Sequence, residues 1–193
     1  MGIEYERKFR ATDAVLEEIR KAFPEAEQVI SMETTYYDAP DKALSSRWYT
    51  LRRRMENEIS VCTLKAPISD RGRGEWEVLC DDIEAAIPEL CKLGAPQNLI
   101  LLTARGIRPV CGAKFTRIAK TLSFADCTLE LALDKGILFG GGKEQPLCEV
   151  EVELKEGTPE SCDAFAKLLS VRFGLVQEQK SKFRRALALY EET

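Results

Sequence analysis

Between Cys148 and Leu154 the chain reads Cys-Glu-Val-Glu-Val-Glu-Leu, an unbroken two-residue alternation of acid and apolar side chains. Two is the period of an extended strand, whose successive side chains leave opposite faces of a sheet. Glu149, Glu151 and Glu153 therefore stack on one face at intervals of about 7 Å, with Val150, Val152 and Leu154 on the other. Three like charges on one face repel, and glutamate is a poor strand former. Such a strand requires cations supplied from elsewhere in the chain.

The same period governs the N-terminal stretch Ile3-Glu4-Tyr5-Glu6-Arg7-Lys8-Phe9. Glu4, Glu6 and Lys8 share one face, while Ile3, Tyr5 and Phe9 line the other with Arg7 among them. Two carboxylates at i and i+2 and an ammonium at i+4 set metal-binding oxygens beside a phosphate-binding charge. A solvated edge strand defended by charge would carry the same residues. Repetition in later strands bears on the choice. Arg52 and Arg54 are co-facial within residues 48–55, and Lys65 points with Thr63 and Val61 within 59–65. Arg73, Glu75 and Glu77 fall together within 73–79, and Glu130 and Asp134 within 127–136. Residues 110–122 carry Lys114, Arg117 and Lys120, of which Lys114 and Arg117 cannot share a face without a bulge.

Helices are expected between and after these strands. Thr12-Asp13 can cap a helix with Val15, Leu16, Ile19 and Phe23 at helical spacing before Pro24, and residues 82–106 read as helical with a stop at Gly94. Thr158-Pro159 opens a helix ending at Gly174, and a short last helix starts at Ser181-Lys182-Phe183-Arg184-Arg185. There Arg184 and Arg185 read as ordinary helix cations. The loop Gly140-Gly141-Gly142 lacks the spacing of a phosphate-binding P-loop.

Composition narrows the chemistry. The 193 residues are 45% hydrophobic and 31% charged, with net charge −4, which fits one folded domain over residues 1–193 and argues against a nucleic-acid partner. Histidine is absent, which removes Ser-His-Asp and Cys-His catalysis. The seven cysteines are odd in number and form no C-x-x-C pair, so they read as reduced packing residues. With no signal-peptide pattern and no apolar run of about 18 residues, a cytoplasmic location without a membrane partner is expected.

About eight short strands, apolar on one face and mixed Lys, Arg, Glu and Asp on the other, can satisfy both faces in two ways. One is a closed eight-stranded antiparallel barrel, an α+β fold with a charged lumen and helices packed outside. The other is a sheet with a wet charged face whose salt bridges contribute about 0–1 kcal/mol each. The charges stay in phase over successive strands and the acids dominate the first and last, as separate metal and phosphate sites would require.

Several stretches in order resemble the CYTH domain family, the triphosphate tunnel metalloenzymes. These are Glu4-Tyr5-Glu6-Arg7-Lys8, Tyr36-Tyr37-Asp38, Leu51-Arg52-Arg53-Arg54, Thr63-Leu64-Lys65, Arg73-Gly74-Glu75-Trp76-Glu77, Phe115-Thr116-Arg117, Glu130 to Asp134, Cys148 to Glu153 and Ser181-Lys182. The resemblance implies an eight-stranded tunnel acting on triphosphates with Mg²⁺ or Mn²⁺. By it, Glu4, Glu6, Glu149, Glu151, Glu153 and Asp134 are metal-ligand candidates, and Lys8, Arg52, Arg54, Lys65, Arg73, Arg117 and Lys182 are phosphate-binding candidates. Glu4, Glu6 and Lys8 would be catalytic, while Tyr36 and Trp76 read as packing residues.

The expected reaction is hydrolysis of a small-molecule triphosphate, inorganic tripolyphosphate first, by a monomer or homodimer. A class IV adenylate cyclase or a thiamine or nucleoside triphosphatase is the rival enzyme. A non-catalytic polyphosphate or nucleotide binder is the rival from another class.

Overall fold

The computed structural model describes residues 2–3, 5–68 and 73–191. Its centre is one antiparallel sheet of ten strands: β1 (Gly2–Ile3), β2 (Glu6–Arg10), β3 (Gln28–Asp38), β4 (Thr50–Glu56), β5 (Ile59–Pro67), β6 (Arg73–Leu79), β7 (Arg108–Phe124), β8 (Cys127–Gly140), β9 (Lys143–Glu156) and β10 (Val176–Gln177). The spatial order is β1-β6-β5-β4-β3-β7-β8-β9-β2-β10. Side chains alternate between the two faces along these strands, and that sets which residues can meet.

The ladder is open, which corrects the expected closed eight-stranded barrel. The N-terminal stretch is two short strands at different places in the order. Gly2 and Ile3 pair with Glu75 and Gly74 of β6, whereas Glu6 to Arg10 pair with Glu153 to Glu149 of β9. Closure would need the second edge of β2, and β10 takes part of it through Val176 opposite Arg10 and Gln177 opposite Phe9.

Among the described residues five α-helices cover the sheet: α1 (Asp13–Ala22), α2 (Ile83–Lys92), α3 (Asn98–Thr103), α4 (Pro159–Phe173) and α5 (Lys182–Glu191). Local chemistry explains their starts. Thr12 Oγ1 accepts from the Val15 N–H and Asp82 Oδ1 from the Glu84 N–H, satisfying donors that a helix leaves open. Gly174 stops α4 in the left-handed region at φ 63°, open to glycine at no steric cost.

Two apolar clusters lie on the outer face. α1 and α4 bury Leu16, Ile19, Phe165 and Leu169 against Val150 and Val152, and α2 and α3 bury Ile87, Leu90 and Leu99 against Leu51, Leu64 and Trp76. The third cluster corrects the expectation that every helix packs outside. α5 sets Phe183, Ala186 and Leu187 against Tyr36, Phe115, Leu138 and Leu147, residues of the inward phase. The last helix thus covers part of the inner face and carries its own cations there. Among the described residues no helix is long and apolar enough to cross a membrane.

Candidate active site

The inward face encloses a cavity of about 670 Å³, counting the space open to solvent at its mouth. Lys8 of β2, Arg52 and Arg54 of β4, Lys65 of β5, Arg73 of β6, Arg117 of β7 and Lys182 of α5 all line it. These are the seven cations singled out in the sequence, and among the described carboxylates only Glu6 and Glu151 share the wall with them. Neutral lining comes chiefly from Tyr36, Phe115 and Phe183.

The basic wall meets the carboxylates of β6. Arg52 Nη2 lies 3.4 Å from Glu75 and 3.9 Å from Glu77, Arg54 Nη2 lies 3.9 Å from Glu77, and Lys65 Nζ lies 3.3 Å from Glu75. Arg54 also contacts Glu56, yet its Nε is buried without a hydrogen bond. Burial, then the neighbouring Arg52 charge, pull Arg54 below the usual arginine range. At the rim, Arg73 Nη2 donates to the Trp48 carbonyl and to Thr50 Oγ1, each at 3.0 Å.

The acid wall is tightly paired. Register places Glu149 between Asp134 and Arg10, Glu151 between Ala132 and Lys8, and Glu153 between Glu130 and Glu6. Carboxylate oxygens of Asp134, Glu149 and Glu151 lie within 4.8 Å of one another. Lys182 Nζ sits among them, 2.8 Å from Asp134, 2.7 Å from Glu151 and in contact with Glu149. Arg117 Nε and Nη2 donate to the two Asp134 oxygens at 2.8 Å each, and Nη2 also contacts Glu151. The Phe115 ring supports both cations, with Lys182 Nζ 5.3 Å and Arg117 Cζ 5.9 Å from its centroid.

Burial and pairing pull the titrations apart. Burial pushes the Glu149 carboxyl up to about 7 against the lowering influence of Lys182 and Arg185. Burial would raise Glu151 too, but Lys182 and Arg117 outweigh it and hold the carboxyl well below its ordinary range. For Lys182, burial works to lower the value and the Asp134, Glu151 and Glu149 charges overcome it, so the ammonium is held charged.

Asp134 and Glu149 are wholly buried behind the wall rather than on it. Glu153 pairs with Lys155 at 2.8 Å and adjoins Glu6 only through register, while Glu4 lies outside the described residues. Lys114 and Lys120 leave β7 on the opposite side from Arg117, so no bulge is needed between them. Lys114 pairs with Glu33 at 3.5 Å. Lys120 caps the end of α1 through the Arg20 carbonyl at 3.0 Å and the Phe23 carbonyl, and meets Glu27 at 3.1 Å. Arg185, read from sequence as an ordinary helix cation, contacts Glu149 and lies 3.8 Å from Glu178. The available signal was its spacing of three from Lys182, which gives both one helix face.

A sequence profile of the CYTH domain matches residues 2–187, and the chain belongs to the CYTH domain family. It is 28% identical over 166 residues to an inorganic triphosphatase of Haemophilus influenzae, covering 84% of this chain and 47% of that protein, so the chain spans about half that relative's length. The fold is similar to that of a Hippeastrum protein described as an adenylyl cyclase with a dominant triphosphatase activity, with TM-score 0.71, 17% identity, and 98% and 97% of the two chains covered. It is also similar to a Bacillus halodurans protein described as an adenylate cyclase, with TM-score 0.65, 15% identity, and 95% and 96% covered.

Hard oxygen donors at this spacing fit a divalent cation such as Mg²⁺ or Mn²⁺. Lys182, Arg117 and Arg185 neutralise the same oxygens in this structure, so cation binding and these ion pairs draw on one set of atoms.

Proposed function

We propose that this chain hydrolyses the terminal phosphoanhydride of a linear triphosphate, preferentially inorganic tripolyphosphate, with Mg²⁺ or Mn²⁺. The supporting observation is the convergence of seven cations on one cavity beside a cluster of three carboxylates, two of them buried. Lys8, Arg52, Arg54, Lys65, Arg73 and Arg117 bind phosphate oxygens, the arginines through two-pronged donation. Their charge stabilises the spread of negative charge over the equatorial oxygens as a water oxygen bonds to the terminal phosphorus and the bridging bond breaks, giving phosphate and diphosphate.

Glu149, Glu151 and Asp134 would hold the metal, with Glu6 and Glu153 as adjacent donors and Glu4 added by the family resemblance. Bound there, it supplies polarisation of a phosphoryl oxygen and a lowered pKa for water. Lys182 anchors the carboxylates and reaches the cavity surface, so it couples the two walls. Arg185 holds Glu149 from behind.

Phosphate release from tripolyphosphate, ATP and thiamine triphosphate, with Mg²⁺, with Mn²⁺ and with chelator, tests the reading. Release from tripolyphosphate that chelator abolishes is the expected result. No release from any substrate would overturn it, and cyclic AMP formed from ATP would assign a cyclase instead.

A further inference from the structure

The start of α5 supplies Lys182 and Phe183 to the cation-lined cavity. Further along the same helix, Arg185, Ala188 and Leu189 line a second cavity, completed by the end of β2, the first half of β9 and the segment before α5. Among the described residues none lines both cavities. The second encloses about 950 Å³, counting the space open to solvent, and the triphosphate reading makes no use of it.

Four of its ten lining residues are charged: Arg10, Lys180, Arg185 and Glu178. The buried Glu178 is an anchor. Its carboxylate accepts from Arg10 Nε at 2.5 Å and from the Lys180 N–H at 2.8 Å, and lies 3.8 Å from Arg185 Nη1. Its own N–H donates to the Lys8 carbonyl at 2.8 Å, which fixes the group to β2. Cations from three separate places in the chain thus converge, and like charges held together are unfavourable without a counter-charge. Glu178 supplies one against three, leaving a net charge of +2 on the wall. The donors are not exhausted either. The Lys180 side chain has no ion pair among the described residues, the Arg10 side chain is 63% exposed, and Arg185 Nε is buried without a hydrogen bond.

Arg185 also reaches the acid wall of the first cavity. The two oxygens of Glu149 are divided between the cavities: Oε1 meets Lys182, on the wall of the first, and Oε2 meets Arg185, on the wall of the second.

We infer that the second cavity binds a divalent oxyanion of the phosphate type between Arg10, Lys180 and Arg185, and that its occupancy sets how firmly Arg185 holds Glu149. The site stands on its own geometry, while the coupling rests on the metal reading of the acid wall. An oxyanion draws on the guanidinium that neutralises Glu149, so the carboxylate is left more negative toward a divalent cation. By linkage the cation tightens the oxyanion to the same degree.

The test is binding of radiolabelled orthophosphate to the full chain by equilibrium dialysis in chelator. Two classes of site are expected, because the first cavity also accepts phosphate. Lys180→Gln removes a charge without disturbing Glu178 and should weaken one class about tenfold, and Arg10→Gln should weaken the same class at least as much. Arg54→Met should weaken only the other. Binding of Mn²⁺, followed by the paramagnetic resonance of the free ion, reads the coupling: phosphate should tighten it at least about fivefold more in the wild type than in Lys180→Gln. Phosphate binding that neither Lys180→Gln nor Arg10→Gln alters would overturn the second site and leave the triphosphate reading intact. Binding that these two weaken and Arg54→Met does not would keep the second site and count against the first. An equal effect of phosphate on Mn²⁺ in both proteins would overturn the coupling through Arg185.

Discussion

The two walls of the cavity carry opposite charge and are treated oppositely by the fold. On β8 and β9, the buried Asp134 and Glu149 and the half-buried Glu151 are gripped by Lys182, Arg117 and Arg185, arriving from β7 and α5. On β4 and β5, Arg52, Arg54 and Lys65 face Glu75 and Glu77 across 3.3 to 3.9 Å, and Arg54 also contacts Glu56. Asp134 and Glu149 of the acid wall lie buried behind the cavity surface, whereas Arg52, Arg54 and Lys65 of the basic wall line the cavity itself. The first is therefore expected to matter to folding and the second to ligand affinity.

The largest break in this contrast should come from Lys182→Met, which leaves the Asp134, Glu149 and Glu151 carboxylates with less compensation. We expect a loss of about 3–5 kcal/mol in urea unfolding, since removing one partner of a buried ion cluster strands the other. An unchanged midpoint would show that Arg117 and Arg185 suffice. Next is Glu151→Gln, which keeps the shape but removes a charge at the metal-ligand cluster. Turnover of tripolyphosphate should fall at least about 100-fold in a folded protein, and full activity would remove Glu151 from the site.

Arg54→Met sharpens the contrast from the other side. It should raise KM for tripolyphosphate about tenfold or more, the loss expected of a charged hydrogen bond. Thermal stability should hold or rise, because the guanidinium is already disfavoured by burial and by Arg52. A large drop in Tm with unchanged KM would make Arg54 structural.

The smallest effect belongs to the outer face, which serves as the control. Hydrogen bonds from Arg20 and then Lys120 lower the Glu27 carboxyl to about 2. Because the folded value is depressed, its stabilisation is present above the ordinary carboxylate range and fades as pH falls from about 4.5 toward 2. Glu27→Gln should flatten that acid limb of the stability profile and leave turnover untouched. A changed turnover would connect this cluster to the site.

Much of this site could be read from alternation alone. Side chains separated by two along a strand must share a face, so Glu149 with Glu151, Arg52 with Arg54, and Lys65 with Thr63 were bound to face one way whatever the sheet's shape. Helix starts at Thr12, Asp82 and Thr158, and the stop at Gly174, follow from equally local hydrogen bonding and sterics. Local periodicity does not decide which edge a strand pairs with. The N-terminal stretch therefore reads as one strand of a closed barrel, while competition from β10 for the edge of β2 leaves the ladder open.

Nor does an amphipathic helix declare which side of a sheet it will cover. α5 lies on the inner face because Leu138, Leu147 and Tyr36 leave apolar surface there, and that choice turns Arg185 from a surface cation into a partner of Glu149. Lys120 is a charge whose role the sequence leaves open, and the structure uses it to cap α1. The sequence by itself determined which residues share a face and where helices begin, because those depend on bonds and contacts a few residues apart. Only the tertiary structure decided which faces meet, since that follows from burial and edge pairing between segments distant in the chain.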